Sequence, residues 1–309
     1  MTLNNSKLRT IFILIIVLGG LIIFGSLKNT WPARESSKEG LVQSIFSQYV
    51  KPPEDNTLVI SIEQILAETD GTYGVFIKNL KTEKTYVINE HRVFNSASLY
   101  KLWVMAVTFD QIQEGSVNKS DILTQEIEKL NEEFNIATEE AELTEGTVSQ
   151  SVDKSLEQMI TVSDNYSTLL LSERIRLSNV TSFLQKNGFH ESTIGADDGF
   201  PKTTPHDIAL FFEKLYTGEL ANKRDTHQML ELLKNQQLNN KLPKYLPEEV
   251  IIAHKTGELD AVSHDAGIVF AEKGDYIIVV MSESENRYVA AEQIALISKE
   301  VYNYFISHI

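Results

Sequence analysis

Cysteine is absent from all 309 residues, which excludes disulfides, thiolate metal sites and cysteine nucleophiles. Lys and Arg are outnumbered by Asp and Glu to a net charge of −15, which argues against nucleic acid and against adhesion to anionic lipid. Much of that excess is local: residues 121–160 hold 11 acidic side chains against Lys129 and Lys154, the pattern of a solvated helical face. The seven histidines (His91, His190, His206, His227, His254, His264 and His308) never fall in a His-x-x-x-His or His-x-His spacing. No metal site and no cofactor is therefore expected, and His254 reads as a surface or capping residue. There is no Gly-x-Ser-x-Gly elbow, phosphate loop or dinucleotide fingerprint, which disposes of an α/β-hydrolase or a nucleotide enzyme. Internal repeats and low-complexity tracts are missing as well.

One long hydrophobic run is present. Residues 1–10 carry Lys7 and Arg9, and residues 11–27 then contain no charge. Seventeen helical residues at ~1.5 Å each nearly cross a ~30 Å hydrocarbon core. No small-x-small cleavage site is evident around Gly25 and Ser26, so residues 11–27 read as an uncleaved transmembrane anchor. The positive-inside rule keeps residues 1–10 cytoplasmic and turns everything after residue 28 outward, an extracytoplasmic location. Residues 28–56, polar and with Pro32, Pro52 and Pro53, read as a tether. Residues 57–309 are enough for one large domain, expected to be a monomer stabilised by its core alone.

Within that domain, residues 61–66 suggest an opening helix, and residues 73–77 and 85–88 two paired strands. Residues 98–220 read almost entirely helical, with Thr204-Pro205 opening one helix as cap and first turn. Strand character returns at residues 250–253, 266–270 and 276–281, and a last amphipathic helix covers about residues 290–307. Strands at both ends with helices between them predict an α+β fold, one antiparallel sheet assembled from distant segments plus a mostly helical lobe. The cleft between them is the natural site.

The chemistry is expected where a small-residue turn, Asn95-Ser96-Ala97-Ser98, meets the apolar run that follows Lys101. Ser98 and Lys101, three apart, share one helical face, and an amine there can act as base toward the hydroxyl once burial lowers its pKa. The same spacing recurs at Ser116 with Lys119 and at Ser151 with Lys154. Those two lie in polar or acidic surroundings and read as a loop and a helix cap. Two further tripeptides each occur once: Ser163-Asp164-Asn165, interrupting a helical segment, and Lys255-Thr256-Gly257, closing a strand.

Ser-x-x-Lys, Ser-Asp-Asn and Lys-Thr-Gly, in this order, resemble the class A β-lactamase family over roughly residues 57–309. Phe94 and Ala97 before the serine, Thr203-Thr204-Pro205 before a helix, and Asp265-Ala266-Gly267-Ile268-Val269 on the next strand extend the resemblance. It implies a β-lactamase/transpeptidase-like fold and a serine hydrolase acting on β-lactams or on peptidoglycan peptides. Ser98 would be acylated, Lys101 would take part in its proton transfer, and Ser163 would relay a proton to the leaving nitrogen. Asn165 would hold the substrate's amide side chain. Lys255 and Thr256, with Gly257, would bind its carboxylate, and the backbone N–H groups of Ser98 and Glu258 would form the oxyanion hole. Lys101 and Lys255 in one cleft should depress each other's pKa.

One part of the family pattern is missing. Class A enzymes carry Glu-x-x-Leu-Asn before the Thr-Thr-Pro helix, and residues 188–203 offer only Glu191, Asp197 and Asp198, none followed by Leu-Asn at that offset. Acylation without fast deacylation is the expectation, which leaves open a D-alanyl-D-alanine carboxypeptidase or penicillin-binding protein. A membrane-anchored binding protein without turnover is the unlike alternative, but such a protein has no need of both Ser98 and Lys101.

Overall fold

The computed structural model describes residues 56–67, 69–195 and 199–308. Helix α1 (Thr57–Leu66) precedes the hairpin β1 (Thr72–Asn79) and β2 (Thr85–Ile88). A two-residue strand β3 (Phe94–Asn95) and a single 3-10 turn (Ala97–Tyr100) run on into helix α2 (Lys101–Gln113). The middle of the chain holds β4 (Ile122–Glu126), α3 (Ile127–Glu133), β5 (Thr147–Ser151), α4 (Val152–Thr161), α5 (Asn165–Ile175) and α6 (Leu177–Asn187). Then come β6 (Lys202–Thr203), α7 (Pro205–Thr217), α8 (Lys223–Lys234), the strands β7 (Ile251–Leu259), β8 (Val262–Phe270) and β9 (Tyr276–Glu283), and the closing helix α9 (Arg287–His308).

The large sheet is antiparallel, in the order β2-β1-β9-β8-β7, so the first hairpin is joined to the last three strands through β1 and β9. The uninterrupted apolar stretch of β9 has a direct cause. Tyr276, Ile278 and Val280 pack with Leu58 and Ile62 of α1 and Ile294, Ile297 and Val301 of α9, while Ile277, Val279 and Met281 pack with the helical lobe. Both faces are covered, so alternation is lost. Helix α2 is buried along Lys101–Phe109 and forms the axis of the helical lobe, which is why its apolar residues are not confined to one stripe.

The α+β architecture with a sheet drawn from both ends of the domain is as expected, and two details differ. Residues 98–220 are less helical than their composition suggests, because β4 and β5 form a two-stranded ribbon and β6 pairs with β3. The ribbon is half exposed and joined by polar contacts such as Thr124 Oγ1 to Ser149 Oγ at 2.7 Å, so it has almost no apolar signature to read. The segment carrying Lys255 does not close a strand but lies within β7, which continues to Leu259. The expected N-terminal anchor and nearly all of the tether lie outside the described residues; among the described residues no helix is long and apolar enough to cross a membrane.

Candidate active site

Ser98 sits in the 3-10 turn, one residue after Ala97, whose φ of 44° places it in the left-handed region. Such a conformation costs a residue with a Cβ about 1–3 kcal/mol and persists only where its surroundings hold it. Here the Asn95 side chain accepts the Ala97 N–H at 3.0 Å, and Ser96 is anchored by its N–H to Pro201 O at 2.8 Å. The turn leaves Ser98 partly exposed while Leu99, Lys101 and Leu102 go inside.

Lys101 is fully buried, and its ammonium donates to Ser163 O (2.6 Å), Ser163 Oγ (3.2 Å) and Asn165 Oδ1 (2.7 Å). Burial pushes its pKa down to about 7, against the opposing pull of the Asp164 and Glu142 carboxylates. Three acceptors use all three donors of the charged amine. The neutral amine has only two N–H groups and a free lone pair, so loss of one proton is what lets it turn toward Ser98.

The Ser-Asp-Asn tripeptide has a local reason for its order. Asp164 caps α5, accepting the Ser167 N–H at 2.6 Å, so the helix starts at Asn165 and its side chain faces back toward Lys101. Ser163, just before the cap, has φ 61°, the second left-handed residue next to the amine. Its hydroxyl lies between two lysines, Lys101 Nζ at 3.2 Å and Lys255 Nζ at 2.9 Å.

Strand β7 is an edge of the sheet and runs past the serine turn. Lys255, completely buried, also donates to Thr256 O at 2.8 Å, and burial followed by the charge of Lys101 holds its pKa well below the ordinary lysine value. Asp265, opposite Thr256 on β8, pulls in the other direction. Gly257 is required by close approach: a Cβ there would sit 3.2 Å from both Ala97 Cβ and Ser96 O and 3.3 Å from His264 Cδ2. Glu258 turns outward at the strand end, its carboxylate 2.7 Å from the fully buried Lys241.

Behind the strand, His254 is buried, not at the surface as expected: Nδ1 donates to Asp265 Oδ1 at 2.9 Å and Nε2 meets Asn239 Oδ1 at 3.1 Å. The physical reason is that the buried carboxylate of Asp265 on β8 needs a donor inside the sheet, which His254 of β7 supplies. His264 is buried too. Ser282 N–H donates to its Nδ1 (3.1 Å), so Nε2 carries the proton and donates to Asn95 O at 2.8 Å, tying β8 to the residue that shapes the serine turn.

Burial pushes the pKa of His264 down to about 4, with Lys241 acting in the same direction. Its folded value lies below that of the unfolded chain, so the unfolded chain takes up this proton first as pH falls. Stability is therefore lost between about pH 6.5 and 4, by about 3 kcal/mol from this group, and no further below. His264→Gln is expected to flatten that part of the stability profile, measured as urea unfolding at pH 6.5 and pH 4; an unchanged slope would assign the loss to other groups.

Lys101, Ser163, Asn165 and Lys255 are thus brought together by hydrogen bonds, and Gly257 is packed against the turn that bears Ser98. Sequence reading missed Glu142, which accepts Asn165 Nδ2–H at 2.6 Å. Tyr166 fixes this acid from inside, since its hydroxyl accepts Leu143 N–H and donates to Leu143 O. No motif marks Glu142, because its position depends on how an acidic loop folds onto α5. The other Ser-x-x-Lys pairs are bland: Ser151 caps α4 through the Lys154 N–H, and Lys119 pairs with Asp153. Glu191, the glutamate of residues 188–203, is held by Thr204 Oγ1–H at 2.7 Å and His91 Nδ1 at 2.9 Å. Asp197 and Asp198 lie outside the described residues.

The sequence model of the β-lactamase enzyme family matches residues 57–305. The β-lactamase VEB-1 of Pseudomonas aeruginosa is 21% identical over 298 residues, spanning 86% of this chain and 96% of that protein. The solved structure of PBP-A is 25% identical, with a TM-score of 0.72 over 83% of this chain and 99% of that one. A leucine-to-glutamate variant of PBP-A, solved as an acyl-enzyme complex with penicillin G, gives a TM-score of 0.71 at the same identity and the same coverage. A β-lactamase from Sphaerobacter thermophilus, 22% identical, shares the fold at a TM-score of 0.72 over 82% of this chain and 99% of that one.

Proposed function

We propose that this chain, which belongs to the β-lactamase enzyme family, is a class A-type serine hydrolase acting on β-lactams, with acylation faster than deacylation. One observation bears most of the weight. A buried amine with a pKa near 7 lies three residues after an accessible serine and is bonded to a hydroxyl that a second buried lysine also touches.

The neutral Lys101 amine takes the Ser98 hydroxyl proton as Oγ bonds to the lactam carbonyl carbon. The oxyanion that forms is held by the backbone N–H groups of Ser98 and Glu258, an arrangement worth about 3–4 kcal/mol. The proton on Lys101 passes through the Ser163 hydroxyl to the lactam nitrogen as the C–N bond breaks, leaving an ester on Ser98. Lys255, with Thr256 and Gly257, receives the substrate carboxylate, and Asn165 its amide side chain. The edge of β7 offers unpaired backbone groups for the rest of the ligand.

Hydrolysis of the ester needs a base aimed at a water. Glu191 is engaged with His91 and Thr204, and Glu142 with Asn165. We therefore propose fast acylation and slow deacylation. Peptidoglycan peptides ending in D-alanyl-D-alanine are the second reading, favoured by the lack of a Glu-x-x-Leu-Asn motif in residues 188–203 and by the likeness to PBP-A. The run of uncharged residues 11–27 after Lys7 and Arg9 supports a membrane-anchored, outward-facing enzyme.

The test is to incubate the full-length protein with a fluorescent penicillin and follow its intact mass with time. One adduct, mapped to Ser98 and outlasting many acylation half-times, is expected. Rapid steady-state turnover would show that a deacylating base is in place, and no adduct at all would refute the acyl-enzyme assignment.

A further inference from the structure

A second cluster stands apart from the lysines. His91 lies between β2 and β3, Glu191 four residues past the end of α6, and His206 in the first turn of α7. Their ligand atoms all lie within 4.8 Å of one another. Glu191 Oε1 is 2.9 Å from His91 Nδ1, Glu191 Oε2 is 3.7 Å from His206 Nδ1, and the two imidazoles lie 4.8 Å apart between centroids at a tilt of 40°. We propose that these three side chains form a binding site for a divalent transition metal of the zinc class.

The donor set fits. Two imidazole nitrogens and one carboxylate oxygen are ordinary zinc ligands, and at bond lengths of about 2.0–2.1 Å tetrahedral donors stand about 3.3 Å apart. Measured from one oxygen, Glu191 Oε2, the imidazole nitrogens of His91 and His206 stand at 3.2 and 3.7 Å, near that spacing, so shifts within reach of side-chain rotation would seat an ion. The carboxylate is already oriented, since Thr204 Oγ1–H donates to Oε2 at 2.7 Å. The backbone is braced as well: Glu191 N–H donates to the buried Asp207 at 2.9 Å, and His206 N–H to Glu90 O at 2.9 Å. Outer hydrogen bonds of this kind hold first ligands in place at metal sites.

Charge points the same way. Glu90 approaches His91 Nε2 at 3.9 Å and Asp207 approaches His206 Nδ1 at 3.3 Å, so three carboxylates surround two imidazoles. A dication outweighs the positive end of α7 in such a setting. The side chain of His91 is 58% exposed, which leaves the ion a path in and a coordination position for water. Three protein ligands and an open position would also suit a catalytic metal, but the cluster is not bonded to any of the lysine-site residues. Its reach is structural. It would clamp the segment leading into β3, three residues before Phe94, to the loop that returns through β6, the strand paired with β3. Those pairings frame the turn that presents Ser98.

The experiment is calorimetric titration of Zn²⁺ into the full-length protein after chelator treatment, beside thermal unfolding with and without the ion. One equivalent binding at about 10 µM Kd or tighter is expected. At a hundredfold excess over Kd, Tm should rise by about 5–10 °C. His91→Gln with His206→Gln should lose both effects while keeping the fold and the rate of penicillin labelling, because His91 is exposed, His206 only half-buried, and glutamine keeps a polar side chain at each. No binding below about 1 mM would overturn the site, as would binding undiminished in the double variant. Failure of the penicillin reaction would leave this test untouched, since its readout is binding and unfolding alone.

Discussion

Lys101→Ala is expected to lower the rate of Ser98 acylation by at least about 10³-fold, with the protein still folded. The amine, three residues from Ser98, has a pKa of about 7, matched to a serine proton near neutral pH. Its loss leaves Ser163 O and Asn165 Oδ1 without a donor, a cost of about 1–3 kcal/mol each. Removal of a desolvated cation offsets part of that cost. Lys101→Arg should be equally inactive, because a guanidinium keeps its charge and cannot accept a proton. The parent enzyme adds a sign. The neutral amine is the active form, so acylation should rise with pH, reach half its plateau near pH 7, and fall about tenfold for each unit below that. Labelling rates across pH 5–9 for the parent and both variants decide the matter. A variant that labels at the parental rate, or a parent profile flat through pH 7, would remove Lys101 from the base's role.

How much of this could be read from the chain follows from where each interaction is encoded. Ser98 and Lys101 are three residues apart, so their shared face is a local property. The cap at Asp164 is equally local, and it explains why Asn165 points back at the amine. The meeting of Lys255 with Ser163, 92 residues apart, came from the family pattern and not from any periodicity. Residues brought in by loops had no such marker. Glu142 arrives through a fold of acidic chain pinned by Tyr166, and His264 joins the site because β8 pairs Gly257 with it. The cluster of His91, Glu191 and His206 is invisible to spacing rules, since its first two members are 100 residues apart. The ribbon of β4 and β5 escaped for the opposite reason: its short, mostly polar strands flank an acidic segment that reads as a solvated helix, while its pairing is by backbone and hydroxyls.

Gly257→Val is expected to slow acylation about 10²-fold while costing only about 1–3 kcal/mol of stability. Distance decides the outcome. A Cβ at this position already falls 3.2 Å from Ala97 Cβ and Ser96 O, and both belong to the left-handed turn that aims Ser98. Two further methyl groups cannot be housed unless β7 moves outward or the turn moves back. Because β7 is held on its other side by a nine-residue ladder to β8, the turn has less to hold it and should yield. A displacement near 1 Å there separates the Ser98 nucleophile from the Glu258 N–H that would hold the oxyanion, without disturbing Lys101, Ser163 or their hydrogen bonds. The base should thus keep its pKa, and the pH midpoint of the residual reaction should stay near 7 although its plateau is lowered. Gly257→Ala, with a single methyl to place, should fall between the parent and valine. The readouts are the second-order rate constant for penicillin labelling and Tm. A valine variant that acylates as fast as the parent would mean that the strand and the serine turn do not share the reaction's geometry, and the oxyanion role of Glu258 would go with it.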